Sequence, residues 1–188
     1  DDETGLQFLE RIGDAYGLVL VLILATFVFT VTLPPTGWGG RVVAVAFAGL
    51  TAVIGLSSSD VRPRRLAYAV TLAVTAVVAA TLARLVDVDA LLGVAFLIDG
   101  ILLCVATVTI LRRVVGATVV DFRTILGAIS VFTMLGLLFG YLYLALGRIK
   151  SGDVFTGVSH AAPRDYMFFS YTPLTTTGYG NLVPIGRA

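Results

Sequence analysis

The sequence predicts an all-α membrane protein, and three observations carry that prediction. Of its 188 residues 57% are hydrophobic and only 13% charged, with a mean hydropathy of +0.96, whereas a soluble domain carries about 25% charged residues. The charges are confined to short stretches, and the apolar runs between them are long enough to cross ~30 Å of hydrocarbon at ~1.5 Å per residue. Near the end, a short aromatic segment is followed by a glycine-rich one, PLTTTGYGNLVP over 173–184.

Residues 1–14, DDETGLQFLERIGD, are too polar to span. Leu6, Leu9, Ile12 and Tyr16 recur at helical spacing, and Thr4 with Gln7 fits a capping box. The pattern suits an amphipathic helix at the membrane surface and equally an extension of the first span. Five spans are expected near 16–33, 42–57, 66–86, 90–111 and 124–147. The first four form a bundle over 15–111, and 124–188 forms a second unit. Between them, 112–123 alternates basic and apolar residues; an amphipathic helix on the inner face fits, and a loop anchored by arginines is the alternative.

Arginine placement gives an orientation. The connection 58–65 carries Arg62, Arg64 and Arg65, and 112–123 carries Arg112, Arg113 and Arg123; 34–40 and 86–89 carry no basic residue. Positive residues stay on the cytoplasmic side. The N-terminus is therefore expected inside, and the stretch after the fifth span outside. Acidic first residues give no sign of a cleavable signal peptide. Twelve arginines against one lysine, with abundant Ala, Val and Gly, hint at a GC-rich bacterial genome and an inner (plasma) membrane.

Little else points to chemistry. Cys104 lies in an apolar run and reads as a small hydrophobic filler. His160 stands alone in a polar loop, and with the acids and Cys104 forms no catalytic cluster, so no enzyme is expected. A net charge of +1 points to no nucleic-acid partner. Asp99 is an acid inside the fourth span, and an intramembrane carboxylate is costly. It reads as a proton or ion sensor, as a partner of Arg84, as a carboxyl bonded to Thr71, Thr75 or Thr107, or as a group beside a watery cleft.

Pro163-Arg164-Asp165 looks like a helix start. The apolar and aromatic run to Leu174 is too short to cross, so a short helix returning through a glycine-rich stretch reads as a re-entrant loop. Irregular backbone at membrane depth survives only when buried in protein or lining water. In Thr175-Thr176-Thr177-Gly178-Tyr179-Gly180-Asn181, successive carbonyls can face one way only where some residues adopt φ values that glycine tolerates. Such a strand, present in several copies, could replace the water of a dehydrated cation.

TTGYG resembles the potassium-channel signature T-V-G-Y-G, and the likeness extends to Phe168, Phe169, Ser170 and the trailing L-V-P-x-G-R. The resemblance implies a pore of four identical chains within the lipid, with outer helix, pore helix and filter, K⁺ as the permeant ion and no other cofactor. It implies that Thr176, Thr177, Gly178 and Tyr179 supply oxygens to K⁺. Gly180 would shape the outer mouth. Thr175, Phe168, Phe169, Thr172 and Asn181 would support the filter, and the ring of Tyr179 would pack on the short helix. A further inner helix is expected beyond Ala188. The sequence departs from the family at Thr177 for valine, Asn181 for aspartate, Thr172 for a glutamate found in some members, and two phenyl rings for indoles. Pro173 within the short helix is expected to distort its last turn. The fourth span has no basic residue before Arg112, so the bundle occupies the place of a voltage sensor without its charges. Two other functions fit the residues less closely: a weakly selective cation channel, and a membrane transporter or regulatory subunit.

Overall fold

A computed structural model describes residues 2–32, 38–58, 62–117, 119–149, 154–156, 158 and 161–185, without the side chains of 2–16, 38 and 123. The elements are α1 (Asp2–Thr32), α2 (Trp38–Ser57), α3 (Pro63–Val86), α4 (Asp89–Val115), α5 (Phe122–Ile149) and α6 (Pro163–Leu174). Among the described residues four stretches are long and apolar enough to cross a membrane: Gly39–Ser57, Pro63–Val86, Asp89–Val115 and Thr124–Ile149. The apolar part of α1, Gly17–Thr32, is shorter. The protein is thus all-helical apart from isolated bridges among the described residues, and it is built to be embedded in a membrane.

Helix ends follow local chemistry. Pro63 opens α3 at a position where its missing N–H costs nothing. Asp87 closes α3 in the left-handed region, φ 54°, and the Val88 N–H reaches back to the Ala83 carbonyl at 3.1 Å. The α3–α4 turn is therefore very tight, and the two helices run antiparallel.

Two expectations need correction. Residues 2–14 do not form a helix of their own; α1 runs unbroken from Asp2 to Thr32. Nor is 112–123 a linker helix. The α4 helix continues through Arg112 and Arg113 to Val115, where Gly116 donates to the Arg112 carbonyl. The next helix then starts at Phe122, with the Asp121 carboxylate accepting from the Thr124 N–H at 2.9 Å and its hydroxyl at 2.8 Å.

That short connection makes α4 and α5 antiparallel neighbours, and theirs is the most extensive helix contact among the described residues. Small residues allow it. Gly93 faces Ala145, Arg148 and Ile149, and Gly100 faces Leu142. The expected division at residue 111 is therefore not a division in packing: α5 lies against both α4 and α1. Hydroxyls stitch the same body together. Thr26 on α1 meets Thr51 on α2 at 2.7 Å, Thr30 meets Tyr141 on α5 at 3.2 Å, and the Tyr141 hydroxyl donates to the Ala44 carbonyl at 3.0 Å. The α3 helix is more peripheral and buries only an alanine stripe, Ala69, Ala76, Ala79, Ala80 and Ala83.

Candidate functional site

The short helix α6 is seated on a glycine stripe. Tyr166, Met167 and Tyr171 lie where side chains at Gly147, Gly140 and Gly136 of α5 would otherwise stand. The residue order shows α6 running antiparallel to α5, starting beside its C-terminal end. Two hydroxyls fix it there: Ser170 Oγ donates to the Gly136 carbonyl at 2.5 Å and Tyr171 Oη to the Thr133 carbonyl at 2.7 Å. Both carbonyls already belong to a helix ladder and can use a second lone pair. Twelve residues give α6 a length of ~18 Å, short of the ~30 Å hydrocarbon thickness.

At its start, Pro163 fills the first helical position and the Asp165 carboxylate reaches back to the Ala162 N–H at 2.7 Å. At its end the expected distortion is present. The Thr175 N–H still bonds to the Tyr171 carbonyl, but Thr176 bonds to Pro173 and Thr177 to Thr172. Three successive donors thus reach back four, three and five residues, and the helix unwinds into 175–182.

In the unwound strand Thr176, Gly178 and Gly180 have φ of 57°, 54° and 70°, while Thr177 and Tyr179 between them are not in the positive region. Alternating handedness turns successive N–H groups to one side of a strand and leaves their carbonyls to the other. Gly178 and Gly180 take such φ readily. Thr176 does not, since a β-branched residue there is an outlier. The sequence singled out the glycines; continuing their two-residue period backwards would have singled out Thr176. All of 175–180 is exposed in the single chain.

The strand then returns to its starting level. The Thr156 N–H donates to the Val183 carbonyl and the Ile185 N–H to the Val154 carbonyl, both at 2.9 Å. Residues 163–185 therefore go down along α5 and come back to the loop that follows it. Between the two rungs of this pairing lies Phe155, 1% exposed, packed on Tyr166 and Phe169. No sequence pattern signalled it.

The expected supporting residues divide. The Tyr179 ring stacks on Phe168, centroids 6.1 Å apart and planes at 21°. Phe169 is not at the strand; about 100° further round α6, it contacts Tyr143 at 5.2 Å and Phe155 at 5.1 Å. Thr175 and Thr177 share a hydroxyl contact at 2.6 Å, and the Thr176 hydroxyl donates to the Thr175 carbonyl. Thr172 uses its hydroxyl on the Phe168 carbonyl, and among the described residues no hydrogen bond joins it to Asn181.

Asp99 lies apart from this region. Its carboxylate faces α2 and α3 beside Gly49, while its neighbour Gly100 faces α5. The carboxyl group is fully buried, and among the described residues neither oxygen has a hydrogen-bond partner. The expected threonine partners are engaged elsewhere: Thr71 donates to the Ala67 carbonyl, Thr75 to that of Thr71 and Thr107 to that of Leu103. Arg84 stands with Arg41, Asp87 and Asp89 around a pocket of about 210 Å³, some eleven residues along α3 from the Ala73 level of Asp99, or ~16 Å. Asp89 there pairs with Arg148 at 3.6 Å and Arg41 at 3.9 Å. His160 lies outside the described residues.

No family model, curated protein or solved structure matches the chain.

Proposed function

We propose that this chain is one subunit of a tetrameric, potassium-selective pore without an arginine-based voltage sensor, with K⁺ passing along residues 176–180. The observation that carries the reading is the alternating handedness at Thr176, Gly178 and Gly180, on a strand that leaves a short helix and returns to the same level. A ring of four such strands would present layers of carbonyls at the axis and replace the hydration shell of a monovalent cation. The preceding helix directs its partly negative end toward the approach to the strand. Tyr179 on Phe168 carries the side chain away from the carbonyl face. The outer mouth faces the extracellular side, as the arginine distribution suggests.

A weakly selective cation pore is the second reading, favoured by one observation: Thr172 and Asn181 form no clamp behind the strand.

Flux from liposomes carrying the protein, with K⁺ or Na⁺ as the only permeant cation, tests both. K⁺ flux at least tenfold above Na⁺ flux, lost in Gly178→Ala tetramers that remain folded, is expected. Equal fluxes select the second reading. Wild-type flux in Gly178→Ala, or none from folded wild-type tetramers, rejects the pore assignment.

A further inference from the structure

A groove of about 410 Å³ opens on the outer face of the bundle, between α2, α3 and α4. Apart from Thr109 its walls are apolar: Leu56, Ala69, Leu72, Ile101, Leu102 and Val105. Arg62 and Arg65 line it at one end, beside Tyr68. This is the end where Arg113 donates to the Ser58 carbonyl at 3.0 Å, and where the arginine distribution places the cytoplasm. We infer that this groove holds one anionic phospholipid of the inner leaflet, its phosphate at Arg62 and Arg65 and an acyl chain along α3 and α4.

Geometry and charge agree on that occupant. From Arg62 to Leu72 the α3 axis rises ~15 Å, the depth of one leaflet of a ~30 Å hydrocarbon core. A groove that begins at headgroup level would therefore end near the bilayer midplane. Both guanidinium-bearing residues are exposed, and among the described residues neither is in an ion pair with an acid. Two cations at the N-cap and in the first turn of one helix suit a phosphate, which Arg can engage through paired N–H groups. Tyr68, also exposed, adds an amphipathic ring at the level where such rings collect. Lipid tails alone would need none of these three polar residues.

The inference does not rest on ion conduction, and its test needs no flux. Thermal unfolding of the whole protein in detergent is measured with equal added phosphatidylglycerol or phosphatidylcholine. Phosphatidylglycerol is expected to raise Tm by about 4 °C more. Arg62→Gln/Arg65→Gln should lose that difference while keeping the Tm seen with phosphatidylcholine. Val105→Trp, which fills the groove and leaves the arginines, should lose it too. Equal shifts with both lipids overturn the inference, as does a preference that survives the double substitution. So does an equal shift with soluble glycerol phosphate, which would indicate a free-phosphate site. A second readout guards against misfolded variants. In a Trp38→Phe/Tyr68→Trp protein, brominated phosphatidylglycerol should quench the new indole about twice as strongly as brominated phosphatidylcholine. Equal quenching rejects the site.

Discussion

The glycines of α5 and those of the 176–180 strand do opposite things. Gly136, Gly140 and Gly147 sit in ordinary helix, and what matters is the room they leave: Tyr171, Met167 and Tyr166 occupy the place of a side chain. Gly178 has nothing within 4 Å of where a Cβ would stand, yet its φ is +54°. The first set is glycine because of its neighbours, the second because of its own backbone. Volume therefore governs whether the short helix docks, and handedness governs how the strand presents its carbonyls. A methyl group added in the two places should give two different phenotypes.

The largest effect is expected at the docking stripe. Gly136→Val collides with the Tyr171 ring and should cost about 3 kcal/mol, seen as a lower Tm in micelles together with lost flux. A wild-type Tm would mean that α6 can move aside, and the comparison fails. Next, Tyr171→Phe removes the bond to the Thr133 carbonyl without changing volume; about 1 kcal/mol should go, with flux per folded tetramer unchanged. In contrast, Gly178→Ala should cost only about 1–2 kcal/mol in backbone strain but abolish K⁺ flux. A Gly178→Ala protein that unfolds like Gly136→Val would erase the distinction. The smallest change is expected for Thr176→Gly. Relief of left-handed strain of about 1–2 kcal/mol is offset by the entropy glycine loses, about 0.5–1 kcal/mol, and by the lost bond to the Thr175 carbonyl. The net shift should stay within about 1 kcal/mol by urea unfolding; a larger loss would show the hydroxyl outweighs the φ.

Much of the helical layout was legible because it depends on local signals. Apolar length marked 42–57, 66–86, 90–111 and 124–147, and Pro163 with Asp165 marked the short helix. The period-two glycines marked the strand. What escaped depended on contacts between distant segments. Gly136 and Gly140 stand four apart in plain view, but only the approach of Met167 and Tyr171 gives them meaning. The split between Phe168 and Phe169 follows from which side of α6 meets Phe155. The valines of 112–123 resembled an amphipathic helix; the stop at Gly116 and the cap at Asp121 outweighed them. For Asp99 the sequence offered partners by proximity, and the threonine hydroxyls instead satisfied their own helices.

The pairing of 154–156 with 183–185 acts as a clasp on the re-entrant segment. With α6 held on α5, closing the remaining loop of about 14 free residues costs on the order of 2 kcal/mol in chain entropy. Two backbone bonds return about 1 kcal/mol each, and burying Phe155 about 2 more. The balance leaves the clasp closed by about 2 kcal/mol, so it opens locally in a small fraction of molecules. Its opening would free the strand's exit while leaving α6 on its glycine seat. Amide exchange at Thr156 and Ile185 reads that equilibrium directly, and anything that grips the loop from outside reaches the far end of the strand through two hydrogen bonds.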